Sequence, residues 1–178
     1  MDEPIRILDH KGNPTGKIAL KSEAHRKGWF HPTVHIWFYT PKGELLLQQR
    51  SASKTVYPLL WDVSVAGHIG AKEDIHTAAI REIEEEIGLS TIPENLEKIG
   101  IFKSIQRPTE TIVDREFHHT YLCPLKVKLN QLQRQESEVA SLKLISLSQF
   151  ESSFQSPIFV PHNNIYYETI IDHVKRKL

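Results

Sequence analysis

The segment between Asp74 and Gly88 constrains this chain more than any other. Asp74 suits a helix N-cap and Gly88 a C-terminal stop, so the spacing predicts a helix over 75–87. Ile75, Ala79, Ile83 and Ile87 recur every fourth residue, giving one apolar stripe that must pack on a core. The same helix carries Arg81-Glu82-Ile83-Glu84-Glu85-Glu86. With 3.6 residues per turn, Glu82, Glu85 and Glu86 fall within roughly a 100° arc, and Glu84 points elsewhere. Three carboxylates on one face repel one another, in the last turns where the helix dipole already disfavours negative charge. A glutamate-rich helix face is ordinarily just a solvated one. A divalent cation would turn the conflict into a requirement, because Mg²⁺ combines one or two carboxylates with substrate phosphates.

The rest of the chain supplies mostly strands. Residues 5–9 read as a short strand turning at 10–14. Residues 34–39 and 44–50 flank Thr40-Pro41-Lys42-Gly43 as a hairpin. Further strands are expected at 60–66, 98–106, 117–125 and 142–145, with a short helix at 148–154 and a terminal helix at 165–177. Helices do not alternate regularly with strands, which favours an α+β mixed sheet over a doubly wound one. Within the 178 residues, 22 lysines and arginines balance 22 aspartates and glutamates. No global field draws the protein to a nucleic acid polymer or an anionic membrane. Cys123 is the only cysteine, which excludes an intrachain disulfide and a Cys-rich zinc cage. The opening Met1-Asp2-Glu3-Pro4 is unlike a targeting peptide, and the expected location is a reducing cytoplasm.

Written out, the central segment is Gly67, five residues, Glu73, seven residues, then Arg81-Glu82-Ile83-Glu84-Glu85-Glu86-Ile87-Gly88-Leu89. It resembles the Nudix box, GX5EX7REUXEEXGU with U apolar, at every specified position. The resemblance implies a Nudix α/β/α sandwich with a mixed β-sheet and a loop-helix-loop box. The domain is expected over 29–178, with 1–28 as an extension packed on it. The implied activity is Mg²⁺-dependent hydrolysis of a diphosphate linkage in a nucleoside diphosphate derivative or related organic diphosphate, with Mn²⁺ able to substitute. Carried over by position, Glu82, Glu85 and Glu86 become metal ligands. Glu73 and Arg81 become supporting residues, the arginine orienting carboxylates through its fork. Gly67 would permit the strand-to-loop bend. The expected partner is a small-molecule diphosphate, with a homodimer left open.

A wider stretch, from Pro41 through Arg50-Ser51-Ala52-Ser53-Lys54 to Leu60-Trp61, is similar to type I isopentenyl-diphosphate isomerases. By that similarity Arg50 and Lys54 would contact the substrate diphosphate. His31, His68, Asp114 and Glu116 fall close to positions where those isomerases bind metal, with His25 one residue off. Hydrogen-bonded structural roles are expected for His25, His31 and His68, because the box already accounts for the metal. Glu116 is a candidate base or extra metal ligand. Ala66 stands where the isomerases carry a catalytic cysteine, and a methyl group transfers no proton. The complete set of box carboxylates also favours hydrolysis. The alternatives are a prenyl-diphosphate isomerase and a Nudix-fold binding module without turnover. Among weaker signals, Trp29, Phe30, Trp37, Trp61 and Cys123 read as packing residues, and His35, on an expected strand, as packing or partly exposed. Lys175-Arg176-Lys177 reads as cations suiting a helix C-terminus.

Overall fold

The first expected strand forms as β1 (Pro4–Leu8) in the computed structural model, which describes residues 2–178. It pairs with β2 (Pro14–Leu20), whose residues are nearly all exposed and show no alternation to announce a strand. A short helix, α1 (Lys21–Lys27), follows and ends at Gly28 in the left-handed region. Bridges from Ile5 to Gly70 and from Leu8 to Phe30 fix this hairpin to the rest of the molecule.

The main sheet has seven strands: β3 (His31–Tyr39), β4 (Glu44–Arg50), β5 (Trp61–Asp62), β6 (Val65–His68), β7 (Glu97–Gln106), β8 (Asp114–Pro124) and β9 (Val139–Ser146). The path runs β5-β4-β3-β8-β7, with β6 on β3 and β9 on β4. Only β3 and β8 run parallel; the other pairs are antiparallel, so the sheet is mixed as expected. Alternation along β3 sorts two cores. Val34, Ile36 and Phe38 pack with Ile83 and Ile87 of α2 (Ile75–Ile87). Trp37 faces the other way, onto Phe150 of α3 (Leu147–Ser153) and Tyr167 and Ile170 of α4 (Asn164–Lys175). The result is the expected α/β/α sandwich.

One departure positions the site. The strand expected over 60–66 is broken at Val63-Ser64 into β5 and β6. The two hairpin strands β3 and β4 are in register only at Tyr39↔Leu45 and then part. The freed edge of β3 is taken by β6 from Thr33↔His68 to Ile36↔Val65, while β4 pairs with β5 and β9. At the fork the Ser64 hydroxyl stands in for the missing ladder. It donates to the Leu46 carbonyl at 2.5 Å and accepts from the Phe38 N–H at 2.8 Å. Splayed strands leave a wedge, and the carboxylate end of α2 fills it.

Candidate active site

Helix α2 has the predicted limits. The Asp74 carboxylate accepts from the N–H groups of His76 and Thr77, and Gly88 closes the helix at φ 66°. A side chain at Gly88 would lie 2.8 Å from Gln133 Cβ. Gly67 is required for a different reason from the expected one. Its backbone is not left-handed; instead, a Cβ there would lie 1.9 Å from Glu82 Cδ. The glycine is what lets the Glu82 carboxylate reach the sheet.

Glu86 lies in the wedge, 4% exposed. Its Oε2 accepts from Gln48 Nε2 and from the Ala66 N–H, both at 3.1 Å. Burial, and then the neighbouring Glu82, push its carboxyl up to about 8. Burial likewise pushes Glu82 up to about 7, against the pull of Arg81. Glu85 is half exposed. Arg81 makes the supporting fork: Nε and Nη2 grip the two Glu73 oxygens at 2.9 Å each. Its Nη1 reaches Glu82 at 2.8 Å and Glu85 at 3.1 Å, and Nη2 also meets the His68 carbonyl. The repulsion expected between Glu82 and Glu85 is therefore largely relieved by one guanidinium. What remains uncompensated is Glu86.

These carboxylates open onto a cavity of about 830 Å³ that Arg50, Lys54 and Glu116 also line. Arg50 is held by its Nε on the Val56 carbonyl and by Nη1 on Asp62 at 3.2 Å. Lys54 pairs with Glu138. Asp62 is 4% exposed, and its Oδ1 also meets His162 Nε2 at 2.9 Å. Burial opposes ionisation of Asp62, but His162 and Arg50 outweigh it and hold the carboxyl well below its usual range.

On the far wall, four elements deliver imidazoles and carboxylates to one point. His25 comes from α1, His31 from β3, His68 from β6, and Asp114 and Glu116 from β8. The parallel register His31↔Glu116 and the antiparallel register Thr33↔His68 make them converge. His31 Nε2 and His68 Nε2 lie 3.4 and 3.5 Å from Glu116 Oε1, and His25 Nε2 lies 3.7 Å from Asp114 Oδ1. The hydrogen-bonded structural roles expected for the three histidines do not hold at this end of their rings. Among the described residues, Nε2 of His25, His31 and His68 and Oδ1 of Asp114 are all buried without a hydrogen-bond partner. His31 Nδ1 is anchored on the Trp29 carbonyl at 2.9 Å. Buried polar atoms left unpaired cost about 1–3 kcal/mol each, so four aimed together call for a ligand. Donor atoms of His25, His31, His68 and Glu116 lie within 4.8 Å of one another, a span that one cation bridges. Burial, and then Glu116, push Asp114 up to about 7, while burial and His31 push His25 down to about 4.

The NUDIX domain profile matches residues 29–166. The chain belongs to the Nudix hydrolase superfamily. Nudix hydrolase 3 of Arabidopsis thaliana is 31% identical over 183 residues, covering 99% of this chain but only 24% of the plant protein. An isopentenyl-diphosphate Delta-isomerase of Nocardia farcinica is 31% identical over 144 residues, covering 80% of this chain and 78% of that one. Among solved structures, DR0079 from Deinococcus radiodurans superposes with a TM-score of 0.68 over 98% of both chains, at 17% identity.

Several residues of this Nudix cavity have no signature in the sequence. Gln48 and His162 carried no local signal, and Asp62 was visible only as the neighbour of Trp61. Of the two readings left open for His35, packing holds and partial exposure does not: it is buried, its Nδ1 paired with the Tyr166 hydroxyl at 2.7 Å, yet it also stacks on His118 at 3.9 Å and lines the cavity. His118 is 3% exposed; its Nδ1 pairs with the Thr33 hydroxyl at 2.8 Å, and burial pushes it down to about 4, so the ring is neutral. Trp37 and Cys123 lie in the two cores as packing residues. Among the described residues no helix is long and apolar enough to cross a membrane.

Proposed function

We propose that the protein is a divalent-metal-dependent diphosphohydrolase of the cytoplasm, acting on a nucleoside diphosphate derivative or related organic diphosphate. The observation that carries this reading is Glu86, a buried carboxyl beside a second buried carboxyl, Glu82. Arg81 reaches Glu82, but among the described residues Glu86 has no ion-pair partner, and burial beside Glu82 pushes it up to about 8. That donor set fits Mg²⁺ or Mn²⁺, with Glu82, Glu85 and Glu86 as the residues that would hold it. The bound ion would neutralise diphosphate charge and lower the pKa of water attached to it.

The chain's own residues do the rest. Arg50 and Lys54, on the same cavity, bind the diphosphate, and Arg50 arrives pre-oriented by Val56 and Asp62. Arg81 holds Glu82 and Glu85 at fixed positions through Glu73. Glu116 serves as a ligand of a second ion rather than as a free base, since His31, His68 and His118 surround both of its oxygens. Three imidazoles with Glu116 and Asp114 suit Zn²⁺ or Mn²⁺ better than Mg²⁺. Isomerisation of a prenyl diphosphate is disfavoured by Ala66, whose methyl lines the cavity where a proton donor would be needed.

The test is a screen of nucleotide sugars, dinucleoside polyphosphates, NADH, nucleoside triphosphates and prenyl diphosphates with Mg²⁺ or Mn²⁺. Phosphate release and product masses are the readouts. Hydrolysis should stop in EDTA and return with Mg²⁺. Full activity in EDTA refutes the metal mechanism, and a silent screen with folded protein turns the reading to a binding module. Label entering carbon from deuterated water would refute the argument from Ala66.

A further inference from the structure

His162 lines the large cavity just before α4, and the reaction described above gives it no part. The segment that carries it is fixed at both ends. The Trp61 N–H donates to the Ile158 carbonyl at 2.8 Å and the Val160 N–H to the Trp61 carbonyl at 2.9 Å, which sets 158–160 alongside β5. At the other end the Asn163 side chain caps α4 by accepting from the Ile165 N–H. The ring is enclosed as well. His35 of β3, His118 of β8, and Tyr166 and Tyr167 of α4 all stand within 5.8 Å of it, centroid to centroid.

Asp62 decides which ring nitrogen carries the hydrogen. Its Oδ2 accepts from Arg50, while Oδ1 accepts from the Val63 N–H at 2.8 Å and meets His162 Nε2 at 2.9 Å. An ionised carboxylate only accepts, so Nε2 donates and Nδ1 keeps its lone pair. Nδ1 has no hydrogen-bond partner among the described residues and is not sealed from solvent, so it fronts the open cavity. Burial keeps His35 and His118 neutral, which leaves Asp62 free to balance positive charge on His162. The carboxylates facing the same space are committed: Glu82 and Glu85 to Arg81, Glu138 to Lys54, and Glu116 to the imidazoles around it. Arg50 and His162 hold the two oxygens of one carboxylate, so a phosphate gripped by Arg50 lies beside the imidazole.

We propose that His162 is a catalytic residue, the base that takes the proton of the attacking water, with Asp62 fixing its tautomer and balancing the imidazolium. The water oxygen bonds to phosphorus, the bridging P–O bond breaks, and its electron pair leaves on the departing phosphate. The water's proton passes to Nδ1, while the Nε2 hydrogen stays on Asp62 Oδ1. A carboxylate behind an imidazole serves the same purpose wherever a neutral nucleophile must lose a proton as it attacks. The assignment rests on the diphosphohydrolase reading and supplies the proton acceptor that reading lacks.

The test uses the full chain, Mg²⁺ and whichever diphosphate is turned over fastest in the screen above. His162→Gly should lower kcat by about 10²-fold or more with KM within about threefold. Added imidazole should restore turnover, and the more basic 4-methylimidazole should restore it faster. A folded glycine variant with wild-type kcat, or one that neither imidazole rescues, overturns the proposal. If circular dichroism shows that variant unfolded, His162→Gln replaces it, since its amide can donate to Asp62 but takes no proton. The same loss of kcat is expected, and wild-type kcat overturns the proposal. Nitrogen-15 NMR of labelled histidines, with His162 assigned by its absence from the variant, should place the lone pair on Nδ1. A neutral ring carrying its hydrogen on Nδ1 overturns the proposal whatever the kinetics. A wild type that hydrolyses no diphosphate defeats the hydrolase reading and the base with it, whereas an active enzyme indifferent to His162 defeats the base alone.

Discussion

Replacing Glu86 with Gln removes one proton-binding group from the wedge and should make the metal-free protein more stable. Burial and Glu82 push this carboxyl from 4.5 to about 8. Between those values the unfolded chain has released the proton and the folded chain keeps it. Metal-free stability therefore falls as pH rises through the window and is fully lost only above the folded value. At about 1.36 kcal/mol per pH unit, the loss by pH 8 is about 4–5 kcal/mol. The amide oxygen can still accept from Gln48 and Ala66, but the new NH₂ enters a buried site without a waiting acceptor. That returns about 1–3 kcal/mol. The net gain is about 2 kcal/mol, a rise of roughly 4–8 °C in melting midpoint for a chain of this size. Thermal melts in EDTA should place Glu86→Gln above wild type at pH 8 and at or below it at pH 5. Saturating Mg²⁺ should reverse the order, because it binds the native wild type more tightly. Hydrolysis by the variant should drop by about 10² or more. A variant that melts lower than wild type in EDTA at pH 8 would refute the claim that this carboxyl is destabilised by its surroundings.

Gly67→Ala should lower kcat by about two orders of magnitude and weaken Mg²⁺ binding in a calorimetric titration, since the new methyl occupies the Glu82 carboxylate position. Unchanged Mg²⁺ affinity would show that Glu82 can move aside at no cost. His68→Phe keeps a flat ring but removes Nε2 from the far-wall cluster. Metal analysis after dialysis against Zn²⁺ should show the ion lost from the variant, while Mg²⁺ titration of the box is preserved. Equal zinc content in both proteins would return the histidines to packing roles.

Helix α2 was legible because all its information is local. Cap, stop, apolar stripe and carboxylate face lie within fifteen consecutive residues, and each follows from helical geometry alone. β2 and α1 were not legible: they bury almost nothing, and burial is what writes periodicity into a sequence. The break between β5 and β6 was hidden for the opposite reason. Ser64 is completely buried and reads as an ordinary strand residue until its hydroxyl is seen replacing a ladder bond. The far-wall cluster divides the same way. Resemblance pointed to the positions of His31, His68, Asp114 and Glu116, but their unpaired nitrogens and oxygen appear only when four elements are set in register. The Asp62–His162 contact joins residues 100 apart and had no local sign at all.

The parallel pairing of β3 with β8 sets the order in which this protein can assemble. Thr33 and His118, neighbours across it, are separated by 85 residues, so the contact closes a long loop before it gains anything in return. Helix α2 and the β7–β8 hairpin, by contrast, require only nearby chain. The box is thus available early as a helix, whereas His31 and Glu116 meet only once that long loop has closed. Refolding followed by zinc capture should therefore lag behind refolding followed by helical circular dichroism, with the difference set by loop closure rather than by metal concentration.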